Sequence, residues 1–228
     1  MSNTTRLKEA ADCEKKAEEC LKTSLLKLKL KPDLDGAASA MERAAVCYRN
    51  AQEPRKAATS LQKAADHYEL NRNLFHAAKA REGAAMLLRD IKDLSEAVVL
   101  FEKAIDGYAE SGSLDTAAMT VEKAADVLKN DDPKKALAIF QRGLALVQQS
   151  DRAKMASQFL KQITKLNLQQ GEYKDAKGSI REEIEKFVEV CEYPRVGQLG
   201  IGLVLVDLAL EDSVAALKDY SWVVRNIP

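Results

Sequence analysis

The sequence is short of nearly everything that catalysis and cofactor binding draw on. Its two histidines, His67 and His76, stand nine residues apart, and its four cysteines, Cys13, Cys20, Cys47 and Cys191, form no CxxC pair. Neither pattern has the ligand spacing of a zinc site. Two histidines also assemble no Ser/His/Asp or Cys/His set. "GQLGIG" (197–202) holds three of the ten glycines, but it lacks the preceding strand that a phosphate-cradling loop requires. Acid pairs such as Glu182–Glu183 sit among lysines and read as a solvated face. An enzyme, a metal and a cofactor are therefore not expected.

Other absences narrow the class further. Lysine plus arginine (35) equals aspartate plus glutamate (35), so no net charge draws the chain to nucleic acid, although a local basic patch stays possible. No charged-then-apolar leader opens the chain, which predicts reduced thiols and a cytoplasmic protein. The longest apolar run, "VGQLGIGLVLVDLAL" (196–210), contains Asp207 and is too short to span a bilayer comfortably. It reads instead as a helix enclosed on all sides. Aromatics make up only 5% of a chain that is 46% hydrophobic and rich in alanine. Such a core is built by close helix–helix approach across small residues.

What is present is a repeat of twenty. Small pairs fall at Ala37–Ala38, Ala57–Ala58, Ala77–Ala78, Ala97–Val98 and Ala117–Ala118, with looser copies at Ala136, Ala156, Ala176, Val196 and Ala215. A second pair follows seven residues later: Ala44–Ala45, Ala64–Ala65, Ala84–Ala85, Ala104–Ile105 and Ala124–Ala125. Seven residues are two helical turns, so both pairs share one face. Pro54, Pro133 and Pro194 precede a small-residue column by two or three residues and mark helix starts. Asn71–Asn73, Gly112, Asn130–Asp132 and Gly171 mark ends and turns.

Each unit is thus one helix of about fifteen residues plus a short turn. The pattern predicts an all-α fold: a twisted right-handed solenoid of antiparallel helical hairpins, related to tetratricopeptide arrays but with about twenty residues per helix. An extra helix over 3–22 precedes it, with Leu7, Ala11, Ala17 and Leu21 as its apolar stripe. The solenoid is expected over 1–195. The start of a C-terminal helical bundle is expected over 196–228, truncated because no polar cap is visible before Pro228.

Two features point outward. Arg43, Lys63, Lys103, Lys123 and Arg142 share one register position, interrupted by Gly83 and Gln162. The column is either a solvated face or a partner site. "TSLLKLKLKPDLDGA" (23–37) alternates leucine and lysine at the period of a strand, with no partner strand in the chain.

With repeat and ladder placed, the chain resembles the soluble NSF attachment proteins. "NRNLFHAAKA" (71–80), "SGSLDTAAMTVEKAADVL" (111–128), "DDPKKALAIFQ" (131–141) and "LLKLKLKPDLDGAA" (25–38) look most like the gamma branch of that family. The resemblance implies a sheet of antiparallel helices leading into a bundle. It implies a non-enzymatic adaptor, monomeric alone and peripheral on membranes, that binds assembled SNARE complexes of the syntaxin type and recruits the ATPase NSF. The loop over 23–36 would touch membrane through Leu25, Leu26, Lys27, Leu28, Lys29, Leu30 and Lys31. The alternative for the leucines is to fold back and cap the first helices. Basic positions of the alpha branch fall near Met119 and Ser157, which are not basic; Lys79, Lys103, Lys123 and Arg142 are the substitutes that register offers. Two other functions stay open: a general helical-repeat scaffold that binds peptide tails, and the helical subunit of a transferase.

Overall fold

The structure, a computed structural model, describes residues 2–23, 30–148 and 152–227. These residues form eleven helices and no strand. In order they are α1 (Asn3–Leu21), α2 (Leu34–Asn50), α3 (Pro54–Leu70), α4 (Leu74–Asp90), α5 (Leu94–Glu110) and α6 (Leu114–Leu128), then α7 (Pro133–Gln148), α8 (Ala153–Gln170), α9 (Tyr173–Glu189), α10 (Tyr193–Ala209) and α11 (Ser213–Arg225). They fall into two compact units, Met1–Val127 and Leu128–Pro228.

The turn sets the period. Helices α2 to α5 each have 17 residues, and three residues join each to the next. At each of these joins the second linking residue takes a left-handed conformation (Gln52, Arg72, Lys92 and Gly112), and Gly171, Cys191 and Glu211 do the same after α8, α9 and α10. The following amide closes the helix end by donating to a carbonyl five residues back, as in Glu53 to Tyr48 (2.9 Å), Asn73 to Tyr68 (2.8 Å) and Asp212 to Asp207 (3.0 Å). This is the Schellman closure, which satisfies carbonyls that would otherwise lack partners. The residue that closes one helix also caps the next. Asp93 and Asp212 accept from the amides of Glu96 (3.4 Å) and Ala215 (2.8 Å) with their carboxylates. Sharing one residue between cap and closure keeps the connection short and makes the helices slightly longer than the fifteen residues expected.

In the first unit the small-residue columns face the interhelix contact. Ala37, Ala38, Ala57, Ala58, Ala77, Ala78, Ala97 and Ala117 are buried, as are Ala44, Ala64, Ala84, Ala104 and Ala124. Gly107 shows how close the approach is: a Cβ there would lie 3.0 Å from the Ala78 Cβ. In α1 the buried residues are Ala10 and Ala17, not Ala11. Seven residues separate Ala10 and Ala17, close to two full turns, whereas Ala11 lies about 100° further round the helix.

The second unit is filled by larger side chains. Ile180 and Ile184 of α9 pack with Val196, Leu203 and Val206 of α10 and Val223 of α11. Here one expectation is corrected. The run 196–210 is helical but not enclosed: Ile201, Leu205 and Leu208 are exposed among the described residues. Hydropathy counts apolar residues but cannot supply the neighbours that would cover them.

Candidate partner-binding surface

The predicted basic positions land in different surroundings. Lys79 on α4 and Lys103 on α5 are exposed. Lys103 borders a shallow hollow with Glu69, Arg81, Asp106 and Glu110, where carboxylates outnumber cations. Arg142 is exposed on α7 and already has an interaction partner. Lys123 on α6 is tied into the fold: its Nζ donates to Glu82 Oε1 at 2.6 Å. The other oxygen of Glu82 accepts from the Tyr108 hydroxyl at 2.7 Å. Burial, then the Glu82 carboxylate, hold that phenol well above its ordinary range.

The same phenol-to-carboxylate bond recurs. Tyr68 donates to Glu42 (3.1 Å) and Tyr48 to Glu14 (3.2 Å). Burial and the Glu42 charge push Tyr68 up to about 12. Tyr48, Tyr68 and Tyr108 share a register position. His76 packs against Tyr68 in a tilted arrangement and against Phe75 edge-on, at ring-centroid distances of 5.3 and 5.6 Å. These ties are structural and leave Lys79 and Lys103 as the open cations of the first unit's predicted set.

A second basic surface was not visible in the register. In the second unit a cleft of about 650 Å³ lies among α8, α9 and α10. Lys154, Lys161, Lys186 and Arg195 line it, against Glu183 and Glu192. Lys154 and Lys161 are exposed and have no ion-pair partner among the described residues. Arg195 lies over the Phe187 ring at 5.3 Å, a cation–π contact that holds the guanidinium at the rim. The floor is the buried pair of Ser157 and Glu183, with the hydroxyl donating to the carboxylate at 3.0 Å. Burial raises the Glu183 pKa, while the Ser157 bond, Lys161 and Arg195 work against that rise. Ser157, read as an absent basic position, therefore lies at the bottom of a pocket ringed by basic residues. The four cations occupy four different register positions on three helices, so no single column could reveal them.

The ladder falls mostly outside the described residues: nothing is placed for Leu25, Leu26, Lys27, Leu28 and Lys29. Leu30 and Lys31 are described and exposed. Asp33, just after them, caps α2 by accepting from the Gly36 amide at 2.8 Å. No described helix is long and apolar enough to cross a membrane. Among the described residues no cluster of three or more histidine, cysteine or acidic side chains could hold a metal ion.

Stacked helical hairpins with charged clefts and small-residue seams define a helical-repeat protein whose working feature is its surface. The family model described as "Soluble NSF attachment protein, SNAP" matches residues 8–221, and the chain belongs to that family. Membership carries the family's general, non-enzymatic role as an adaptor between SNAREs and NSF. Solved structures with similar backbones include BtubC (BKLC) from P. vanneervenii, at 15% identity over 99% of this chain and 91% of that one, with a TM-score of 0.47. Aspartyl phosphate phosphatase F from Bacillus subtilis matches at 14% identity over 98% and 71% of the two chains, TM-score 0.45. Pseudomonas aeruginosa pilF matches at 17% identity over 94% and 90%, TM-score 0.41. At these scores the likenesses say nothing about function.

Proposed function

We propose that the chain is an adaptor of the gamma branch, working at intracellular membranes in vesicle transport, that engages assembled SNARE complexes and recruits NSF to take them apart. The observation that carries this reading is the family match over 8–221. The proposed contacts with an acidic helical bundle are Lys79 and Lys103 in the first unit and the cleft cations Lys154, Lys161 and Arg195 in the second. Lys123 and Arg142 are left as candidates with competing ties. The contact is electrostatic, because the side chains proposed to make it are lysines and an arginine and not an aromatic cluster. The loop over 25–31 is proposed to touch the bilayer, leucines toward the acyl chains and lysines toward anionic headgroups, each lysine adding about 1 kcal/mol near such a surface.

The test is a pull-down with assembled and unassembled SNARE complexes. Selective capture of the assembled form is expected, weakened about tenfold or more by Lys154→Glu with Lys161→Glu and by added salt. Equal capture of both forms would sink the adaptor reading and favour the runner-up, a scaffold for peptide tails. Changing Leu26, Leu28 and Leu30 to Ser should lower liposome co-sedimentation and leave soluble-complex disassembly unchanged. Equal loss in both assays with a lower melting temperature would mean that the leucines cap the fold instead.

A further inference from the structure

The first hairpin brings together two cysteines that are far apart in the chain. Cys13 lies on α1 about one turn from both Ala10 and Ala17, and Cys47 lies on α2 about one turn beyond Ala44. All three alanines are fully buried, and Ala17 packs with Ala37, Ala38 and Ala40 of α2. The two helices therefore meet along a seam of small residues. Across it the Cys13 and Cys47 thiols share a hydrogen bond. Polar bonds hold the register on both sides. The Tyr48 hydroxyl donates to Glu14 at 3.2 Å and the Arg6 guanidinium to the Asn50 carbonyl, while at the other end the Asp33 amide donates to the Cys20 carbonyl at 2.9 Å. A disulfide requires Cα atoms about 4.4–6.8 Å apart, a spacing that a small-residue seam permits.

We infer that Cys13 and Cys47 are an oxidant-responsive thiol pair, which hydrogen peroxide converts to a disulfide joining α1 to α2. Both side chains are partly exposed, so a small oxidant reaches them. Burial, and then Cys13 and Glu9, raise the Cys47 thiol, which makes it the partner that keeps its proton. The Cys13 sulfur attacks one peroxide oxygen, the O–O bond breaks, and a sulfenic acid and one water result. The Cys47 sulfur then displaces the sulfenic oxygen, which leaves with the Cys47 proton as a second water. The two sulfurs lose two electrons and the peroxide gains them. A reducing compartment returns the pair to thiols, so the bond is transient and reports oxidant, as intracellular disulfides do. Cys20 stands two turns along α1 from Cys13, about 10 Å away, and is outside the pair.

This inference is independent of the adaptor reading. The full chain is exposed to hydrogen peroxide at neutral pH, its remaining thiols are alkylated, and it is cut with trypsin without reduction. Peptides 9–15 and 44–49 should be found linked, at the summed mass less two hydrogens, and dithiothreitol should part them. Cys20 falls in a separate peptide, 17–22, so the pairing is read directly. In urea the same link should form about tenfold more slowly or worse, because the fold holds the thiols together. Cys47→Ser should abolish the link and let Cys13 run on to sulfinic acid, with the melting curve little changed. The inference is overturned if 9–15 and 44–49 stay unlinked while the chain remains folded, or if 17–22 takes the place of either. Equal linkage in urea overturns it, as does a dimer-sized band on a non-reducing gel that accounts for the linked peptides.

Discussion

Between α3 and α4 the core is Ala64, Ala65, Ala77 and Ala80 beside Tyr68; between α9 and α10 it is Ile180, Ile184, Val196, Leu203 and Val206. The polar ties differ in the same way. The first unit uses phenol-to-carboxylate bonds at its seams, and its buried ring of Tyr108 keeps one polar tip on Glu82. The second unit buries charge. Asp207 and Asp219 lie inside it, bridged by Lys177, which is 2.9 Å from Asp219, and Arg181 pairs with Asp219 as well. Burial raises Asp207. Burial also acts to raise Asp219, but bonds from Lys177, Asp207 and Arg181 hold it below the usual range. Yet both units use the same left-handed turn and the same period. The repeat is therefore a property of the turn and the helix length, and the filling between helices can change underneath it.

The sharpest way to break this comparison is at Lys177. Lys177→Ala leaves two buried carboxylates without the cation between them, and removing one partner of a buried pair costs about 3–5 kcal/mol. The loss should appear in hydrogen exchange of α9 to α11, with protection of α2 to α5 unchanged, because stability in a repeat is a sum of local terms. The pH dependence should also shift. Burial already raises Asp207, and without Lys177 it raises it further, so the folded state binds more protons at that carboxyl and the variant gains stability from it as pH falls from neutral toward 5, while Arg181 still pairs with Asp219. A uniform loss of protection over the whole chain, or a variant that weakens on acidification, would show that the two units are not held in separate ways.

The mirror experiment is Ala84→Phe. Ala84 is fully buried, and a phenyl ring there wedges helices apart at a cost of about 1–3 kcal/mol. Protection should now fall in α3 to α5 and persist in α9 to α11. A neutral outcome would mean that the small-residue column tolerates bulk, and that alanine is no requirement of the first unit's filling.

The smallest effect tests what the units share. Lys92 (φ 65°) and Glu211 (φ 59°) occupy left-handed turns where a side chain costs about 1–2 kcal/mol, partly offset by the unfolded-state freedom of glycine. Lys92→Gly and Glu211→Gly should each stabilise by about 0.5–1 kcal/mol, in equal measure in urea unfolding. Unequal gains would show that the turns do not carry the same strain.

The period of twenty, the helix starts at Pro54 and Pro133, the alanine faces and the family resemblance were all legible in the amino-acid order. They are local: a helix repeats every 3.6 residues, and a face that must be buried writes that period into its residues. What only the tertiary structure decided involves residues far apart in the chain. Lys123 shares a register column with Lys103, but Glu82, 41 residues away, takes its charge. Lys154, Lys161, Lys186 and Arg195 form one cleft from three helices with no common register. Asp207 and Asp219 look like ordinary helix acids until α9 brings Lys177 between them. The apolar run at 196–210 was plain in sequence, and its exposure was not. Periodicity records which side of a helix seeks burial, whereas the partner that meets it is set by how neighbouring backbones pack.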